Sequence, residues 1–158
     1  MPNLTQSEID ALIAKLKKFP YIANAGSDNL GPLSGPPTVA AEVETKDVTL
    51  YETGADVQAC YLTKNDVLVT IKTRDVAKGM ALQSAFTKGE NILASDKKVV
   101  LTLVPITSES ESTITFANAF LQPGLNFTPG EDDTPSEIEL QYLCKADASS
   151  GKPFTYGS

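Results

Sequence analysis

The residues able to do chemistry in this 158-residue chain are few: a carboxylate run at Glu131, Asp132 and Asp133, two cysteines at Cys60 and Cys144, and no histidine. The absence of histidine removes the commonest general base, every Ser-His arrangement and the usual zinc, haem and non-haem iron ligand sets. Paired carboxylates could serve a glycosidase, and clustered ones could hold calcium through hard oxygen ligands. The spacing of Glu131–Asp133 is not that of an EF-hand, no aromatic sugar platform lies nearby in sequence, and Pro129, Gly130 and Pro135 enclose the run. A solvated acidic loop is the simpler reading. The two cysteines do not form the close C-x2-C pair that a zinc site wants. They are expected to be buried, reduced thiols that pack as small hydrophobes. Ser34 falls one place late between Gly31 and Gly35 for a nucleophile elbow, and no glycine spacing here cradles a phosphate. No catalytic, cofactor-binding or metal-binding residue is therefore assigned, and the chain is not expected to be an enzyme.

Composition narrows the partners. Thirteen Lys and Arg against twenty Asp and Glu give a net charge of −7, which argues against holding DNA or RNA by phosphate neutralisation. It allows a surface past which nucleic acid slides without sticking. The aromatics, such as Tyr51, Tyr61, Phe116, Phe120, Tyr142, Phe154 and Tyr156, have few cations beside them and read as core and interface residues rather than a base-stacking platform. No apolar run approaches the roughly 20 residues of a membrane helix, so no membrane partner is expected. Met1–Thr5 lacks the charged and apolar regions of a secretory signal, which makes the cytoplasm the expected place of assembly. It also leaves the glycosylation patterns Asn3-Leu4-Thr5 and Asn126-Phe127-Thr128 without meaning.

The elements that must position these residues are mostly strands, within a single expected domain over 1–158. Residues 5–19 read as a helix: Thr5 and Glu8 form a capping box, Ile9, Leu12, Ile13 and Leu16 form one apolar stripe, lysines 15, 17 and 18 close it, and Pro20 stops it. Docking of that stripe on a sheet is the expectation. Residues 23–38 and 122–135 are dense in Gly and Pro and are expected as long loops. Strands are expected at Val39–Thr45, Val48–Glu52, Val57–Leu62, Val67–Thr73, Val99–Val104, Thr113–Leu121 and Glu137–Lys145, with a short edge at Pro153–Tyr156. Thr53-Gly54 and Lys64-Asn65-Asp66 supply turn chemistry between strands, and 105–112 reads as a polar turn. A second helix is expected over 75–86, with Asp75 as its N-cap and Gly79 as a weakening residue. The alternation of Glu137–Tyr142, and of Val67, Val69 and Ile71 against Leu68, Thr70 and Lys72, buries one sheet face and wets the other. The fold class is mainly β: an antiparallel sandwich or barrel with an N-terminal helix and one helix packed at its side.

Three pieces of this pattern carry a resemblance. They are Asp66–Val76, a strand running directly into a helix; Ser112–Gly124, a strand and its loop; and Ser136–Tyr156, a strand followed by a short closing segment. Over Val39–Tyr156 the chain resembles the tail tube (major tail) proteins of long-tailed bacteriophages, which are similar in fold to type VI secretion tube proteins. The N-terminal helix departs from that pattern. The resemblance implies a structural virion protein of the tail, whose hexameric rings share β-structure between subunits and stack into a tube. Its partners would be further copies of itself and other tail proteins, and DNA would transit without specific binding. No cofactor is implied. On this reading Gln58, Thr70 and Lys72 are candidates to face the lumen, with Glu137 and Glu139 able to face outward instead. Leu30 and Leu33 in the first loop, and Glu131, Asp132 and Asp133 in the second, would contact the next ring. The alternatives are a tail terminator or adaptor that forms single rings, a monomeric β-sandwich binding module, and a histidine-free enzyme using carboxylates.

Overall fold

The computed structural model describes residues 3–16, 20–54, 56–106 and 113–157. Along them run α1 (Gln6–Leu16), β1 (Tyr21–Ala25), β2 (Asp28–Asn29), β3 (Thr38–Thr49), β4 (Val57–Thr73), α2 (Val76–Ser84), β5 (Val99–Pro105), β6 (Ile114–Thr128), β7 (Glu137–Cys144) and β8 (Thr155–Tyr156). The strands form one antiparallel sheet in the order β2-β1-β5-β6-β7-β4-β3, with β8 added on β6. Its two ends do not join, so the architecture is an open, sandwich-like sheet rather than a closed barrel.

The alternation in the sequence is what curls this sheet around a core. Ile138, Leu140, Tyr142 and Cys144 of β7 are buried while the residues between them are half-exposed. Val67, Val69 and Ile71 of β4 share their face, since directly paired residues of neighbouring strands point the same way. From the other side come Ala23, Ala25, Leu101, Leu103 and Phe116. Each large apolar side chain so buried contributes about 1.5–3 kcal/mol. α2 lies against β7 and β6, and Leu82 and Phe86 pack onto the core from that side.

Segment 30–34 draws the two halves together. The Leu30 N–H donates to the Ala23 carbonyl at 2.9 Å, the Arg74 N–H to the Pro32 carbonyl at 2.8 Å, and the Ser34 N–H to the Lys72 carbonyl at 2.9 Å. Thr73 secures the crossing: its buried hydroxyl donates to the Leu30 carbonyl at 2.5 Å and accepts from the Asp75 N–H at 3.0 Å. Asp75 then caps α2, accepting from the Lys78 N–H at 3.2 Å.

Several expectations need correction. The first loop is not without regular structure: residues 21–29 form the β1–β2 hairpin, where Ala23 and Ala25 contribute to the core. Lys64-Asn65-Asp66 is not a turn. It lies inside β4, which pairs with β3 from Thr38↔Thr70 to Thr49↔Val57, broken only by register shifts after Glu44 and Val48. The expected strand breaks are therefore bulges in one long ladder. The actual reversal sits at the 3-10 turn Tyr51–Thr53.

β6 likewise continues through Pro123 to Thr128, well into the expected second loop. It kinks where its register with β7 shifts, between Gln122 and Asn126. Gly124 there holds φ at 145°, a region few side chains tolerate. The Gln83 carboxamide spans the kink, accepting from the Gly124 N–H at 3.1 Å and donating to the Gln122 carbonyl at 3.5 Å.

The capping box of α1 is present. The Thr5 N–H and hydroxyl both donate to the Glu8 carboxylate, at 2.7 and 2.8 Å, and the Glu8 N–H returns a bond to the Thr5 hydroxyl at 3.3 Å. Of the apolar stripe, Ile9 is half-buried and Leu12 about half exposed; the side chains of Ile13 and Leu16, on which its docking also depends, lie outside the description. Residues 17–19 and 107–112, where the basic helix end and the serine–glutamate turn were expected, lie outside the described residues.

Candidate assembly surfaces

Outside the core the described residues offer three surfaces able to recognise something: a polar sheet face, an apolar arm and an apolar groove.

The polar face belongs to the centre of the sheet. Register pairs Thr70 with Gln141 and Gln141 with Gln122; one row on, Lys72 pairs with Glu139 and Glu139 with Asn126, and Glu137 pairs with Thr128. Paired residues share a face, so these eight side chains form a three-strand-wide polar patch on the side away from the core. Within it the Gln141 amide donates to the Glu139 carboxylate at 2.9 Å. Two of the three expected lumen residues, Thr70 and Lys72, are thus brought together here. Glu137 and Glu139 lie on the same face rather than opposite it. Gln58 is far from this patch: it is exposed near the start of β4, with its amide donating to the Asp56 carbonyl.

The arm is the outer part of β3 and β4. Residues 39–49 and 57–63 lie mostly in solvent, and among the described residues neither segment has a strand partner other than its hairpin mate. Yet the side chains are not those of a solvated loop. Val43, Val57 and Leu62 are each more than half exposed, Tyr61 is 62% exposed and Tyr51 at the reversal is 100% exposed. An isolated two-stranded hairpin is marginal in water, and a long apolar edge invites pairing.

Cys60 stands on this arm, so its expected burial is corrected: it is an exposed free thiol, while Cys144 is a buried one. The Asp47 carboxylate, on the residue paired with Cys60, accepts its hydrogen bond and raises its pKa above the ordinary value. Burial pushes the Cys144 thiol further, up to about 12.

The groove, about 580 Å³, is lined by Pro20, Tyr21, Ile22, residues 31–36 and Ile106, none of them charged. The Ile106 N–H donates to the Pro20 carbonyl at 2.9 Å, and the bonds of segment 32–34 to the end of β4 hold its other wall.

The expected loop contacts divide. Glu131, Asp132 and Asp133 are exposed, on a turn closed by two 2.9 Å bonds between Glu131 and Thr134. Leu33 is half-buried against the core, opposite Thr73, and lines the groove. Leu30 is fully buried and belongs to the core. Among the described residues no group of three or more Cys, Asp or Glu side chains converges as a metal site requires. Sequence reasoning missed the groove because its walls come from three segments distant in sequence, 20–22, 31–36 and 106. It missed the arm because the bulges read as turns.

No protein-family model matches the chain, and no curated protein matches it. Among solved structures it is similar to a chain from the tail of an empty GTA particle with C6 symmetry, at a TM-score of 0.52 and 14% identity, covering 90% of this chain and 97% of the other. It is also similar to a chain of the sheath–tube complex of PVC, an extracellular contractile injection system in its extended state, at a TM-score of 0.51 and 12% identity, over 89% and 94%. At these identities the likeness is one of fold, and it extends over nearly the whole chain.

Proposed function

We propose that this chain is a structural subunit that polymerises, as stacked hexameric rings, into the tube of a phage tail. The observation that carries this reading is the β3–β4 arm, whose apolar residues the chain leaves in solvent. Exposed apolar surface of this extent marks a protein interface, and a subunit that meets its neighbours through such an arm covers it on assembly. The fold likeness to tail and injection-system components supports the same reading.

In the tube, the polar patch around Thr70, Lys72, Gln141 and Glu139 faces the bore. It carries one lysine and two glutamates among neutral amides and hydroxyls, a surface without the clustered cations that hold phosphate. With −7 on every subunit, the field opposes trapping of DNA on the wall. The partners are further copies of the chain and other tail proteins. The product is part of the virion tail, assembled in the host cytoplasm, and the role needs no catalysis and no cofactor.

Light scattering on a size-exclusion run, with negative-stain electron microscopy of the same fractions, tests the proposal. Rings and hollow tubes are expected, from the protein alone or on a tail-tip seed. Rings that never stack would instead support a terminator or adaptor. A monomer that ignores the seed would sink the assembly reading.

A further inference from the structure

We propose that the bulges of β4 at Thr63 and Gln58 are a facing device. They hold the arm in the register in which its apolar side continues the core side of the sheet, and the Thr63 bulge is the joint that sets the angle at which the arm leaves the body. The device belongs to the single chain and stands whether or not the chain forms a tube.

β3 is paired residue by residue from Thr38 to Thr49, so its alternation carries each face of the sheet outward along the arm. Val39 and Ala41 pair with the core residues Val69 and Val67, which marks the core side. Further out on that side stand Val43, Thr45, Asp47 and Thr49, paired with Asn65, Leu62, Cys60 and Val57. Thr63 and Gln58 are passed over by this ladder. Each is the extra residue of a bulge, where two residues of one strand face one of the other.

The residues passed over are polar, and those seated in their place are apolar. An unbroken strand would set Thr63 opposite Thr45, where the bulge seats Leu62. With the first bulge alone, Gln58 would stand opposite Thr49, where Val57 stands. A shift of one residue exchanges the two faces of a strand. Both bulges are therefore needed to keep Leu62 and Val57 on the side of Val43. The other side gathers Glu42, Glu44, Lys46 and Lys64, with Tyr61 paired to Lys46.

The Thr63 bulge also stands where the arm leaves the body. Inward of it, the Asn65 amide donates to the Gly151 carbonyl at 3.1 Å, and the buried Asp66 carboxylate accepts from the Ala146 N–H at 3.0 Å. From Val67 onward β4 gains β7 as a second neighbour. Outward of the bulge, among the described residues, only β3 accompanies β4. A bulge bends its strand and increases its twist, so the bend falls between a fixed root and a free arm. The Thr63 hydroxyl donates to the Glu44 carbonyl at 3.1 Å, across the register shift, and holds the joint at one angle.

Cross-strand backbone contacts in NMR spectra of the unassembled chain test the facing. Contacts from Thr45 to Leu62 and from Thr49 to Val57 are expected. Contacts of Thr45 with Thr63, or of Thr49 with Gln58, in their place would overturn the proposal.

Spin labels at Tyr51→Cys and Ala85→Cys, in a Cys60→Ser background with Cys144 buried, test the joint. Tyr51 lies at the reversal of the arm, and Ala85 is exposed at the end of α2, which packs on the body. One narrow distance is expected. Thr63→Val keeps the shape but removes the donor, so it should broaden that distance, and Thr63→Ser should keep it narrow. Deletion of Thr63 should move the distance to a new narrow value while the contact from Thr45 to Leu62 persists, because the ladder then passes this point without a bulge. A distance left unchanged by both Thr63→Val and the deletion would refute the joint.

Discussion

A methyl group added to Gly79 would collide with Cγ2 of Ile138 and sit 3.1 Å from its Cδ1. Glycine in mid-helix costs about 1 kcal/mol against alanine, and this one is retained where α2 presses onto β7. Ile138 is fully buried and has no room to retreat. Gly79→Ala should therefore destabilise the protein by about 1–3 kcal/mol despite the better helix propensity. Urea unfolding checks the sign. The double variant Gly79→Ala with Ile138→Ala should lose less than the sum of the two single losses, because the second change removes the obstructing methyl.

Thr73 makes a comparable prediction for the crossing of segment 30–34. Thr73→Val keeps the shape but leaves the Leu30 carbonyl and the Asp75 N–H without their partner. Loss of about 1–3 kcal/mol is expected in equilibrium unfolding. Hydrogen exchange should also quicken at Arg74 and Ser34, whose N–H groups hold the same crossing. A variant as stable as the wild type, with unchanged exchange, would show that the hydroxyl is dispensable.

Much of this was legible in the residues. Asp75 announces the start of α2, and β7 alternates so cleanly that its buried face can be read off Glu137–Tyr142. Gly79 looked like a weakness because its reason lies across space, in Ile138. Lys64-Asn65-Asp66 has turn composition, yet in the fold Asn65 donates to the Gly151 carbonyl and Asp66 accepts from the Ala146 N–H. Those bonds tie β4 to the segment after β7 and override local preference. Leu30 sits in a Gly- and Pro-rich stretch with no periodicity around it, so only the crossing reveals it as core. On the polar face, Thr70 and Lys72 were recognised from alternation, whereas placing Glu139 beside them required the strand register.

The cysteines offer a chemical test of the arm. A thiol reagent at neutral pH should modify Cys60 in the folded monomer, more slowly than a free thiol because the bond to Asp47 favours the protonated form. Cys144, held neutral by burial with its pKa near 12, should stay silent until the protein unfolds. In assembled tubes Cys60 should become slow as well, if neighbouring copies cover the arm. Equal reactivity of the two thiols in the monomer would contradict the burial described above.

Glu8 provides the pH dependence. Hydrogen bonds from the Thr5 N–H and hydroxyl hold its carboxyl below the ordinary value of 4.5. A depressed folded value means that the cap is fully present above pH 4.5 and is lost as pH falls through the lower folded value. A carboxyl titration followed by NMR should show this, and Thr5→Ala should return Glu8 to its ordinary range. An unshifted Glu8 in the wild type would mean that the capping box does not form in solution.

That β4 is one uninterrupted strand from arm to core gives the subunit a mechanical character. A pull along the arm runs down β4 into its ladder with β7, from Val67↔Cys144 to Thr73↔Ile138. Antiparallel hydrogen bonds lie across the strand direction, so those rungs are loaded together in shear rather than peeled singly. The arm is thus fastened where the protein is hardest to tear. Tension entering through it meets all the rungs of that ladder at once.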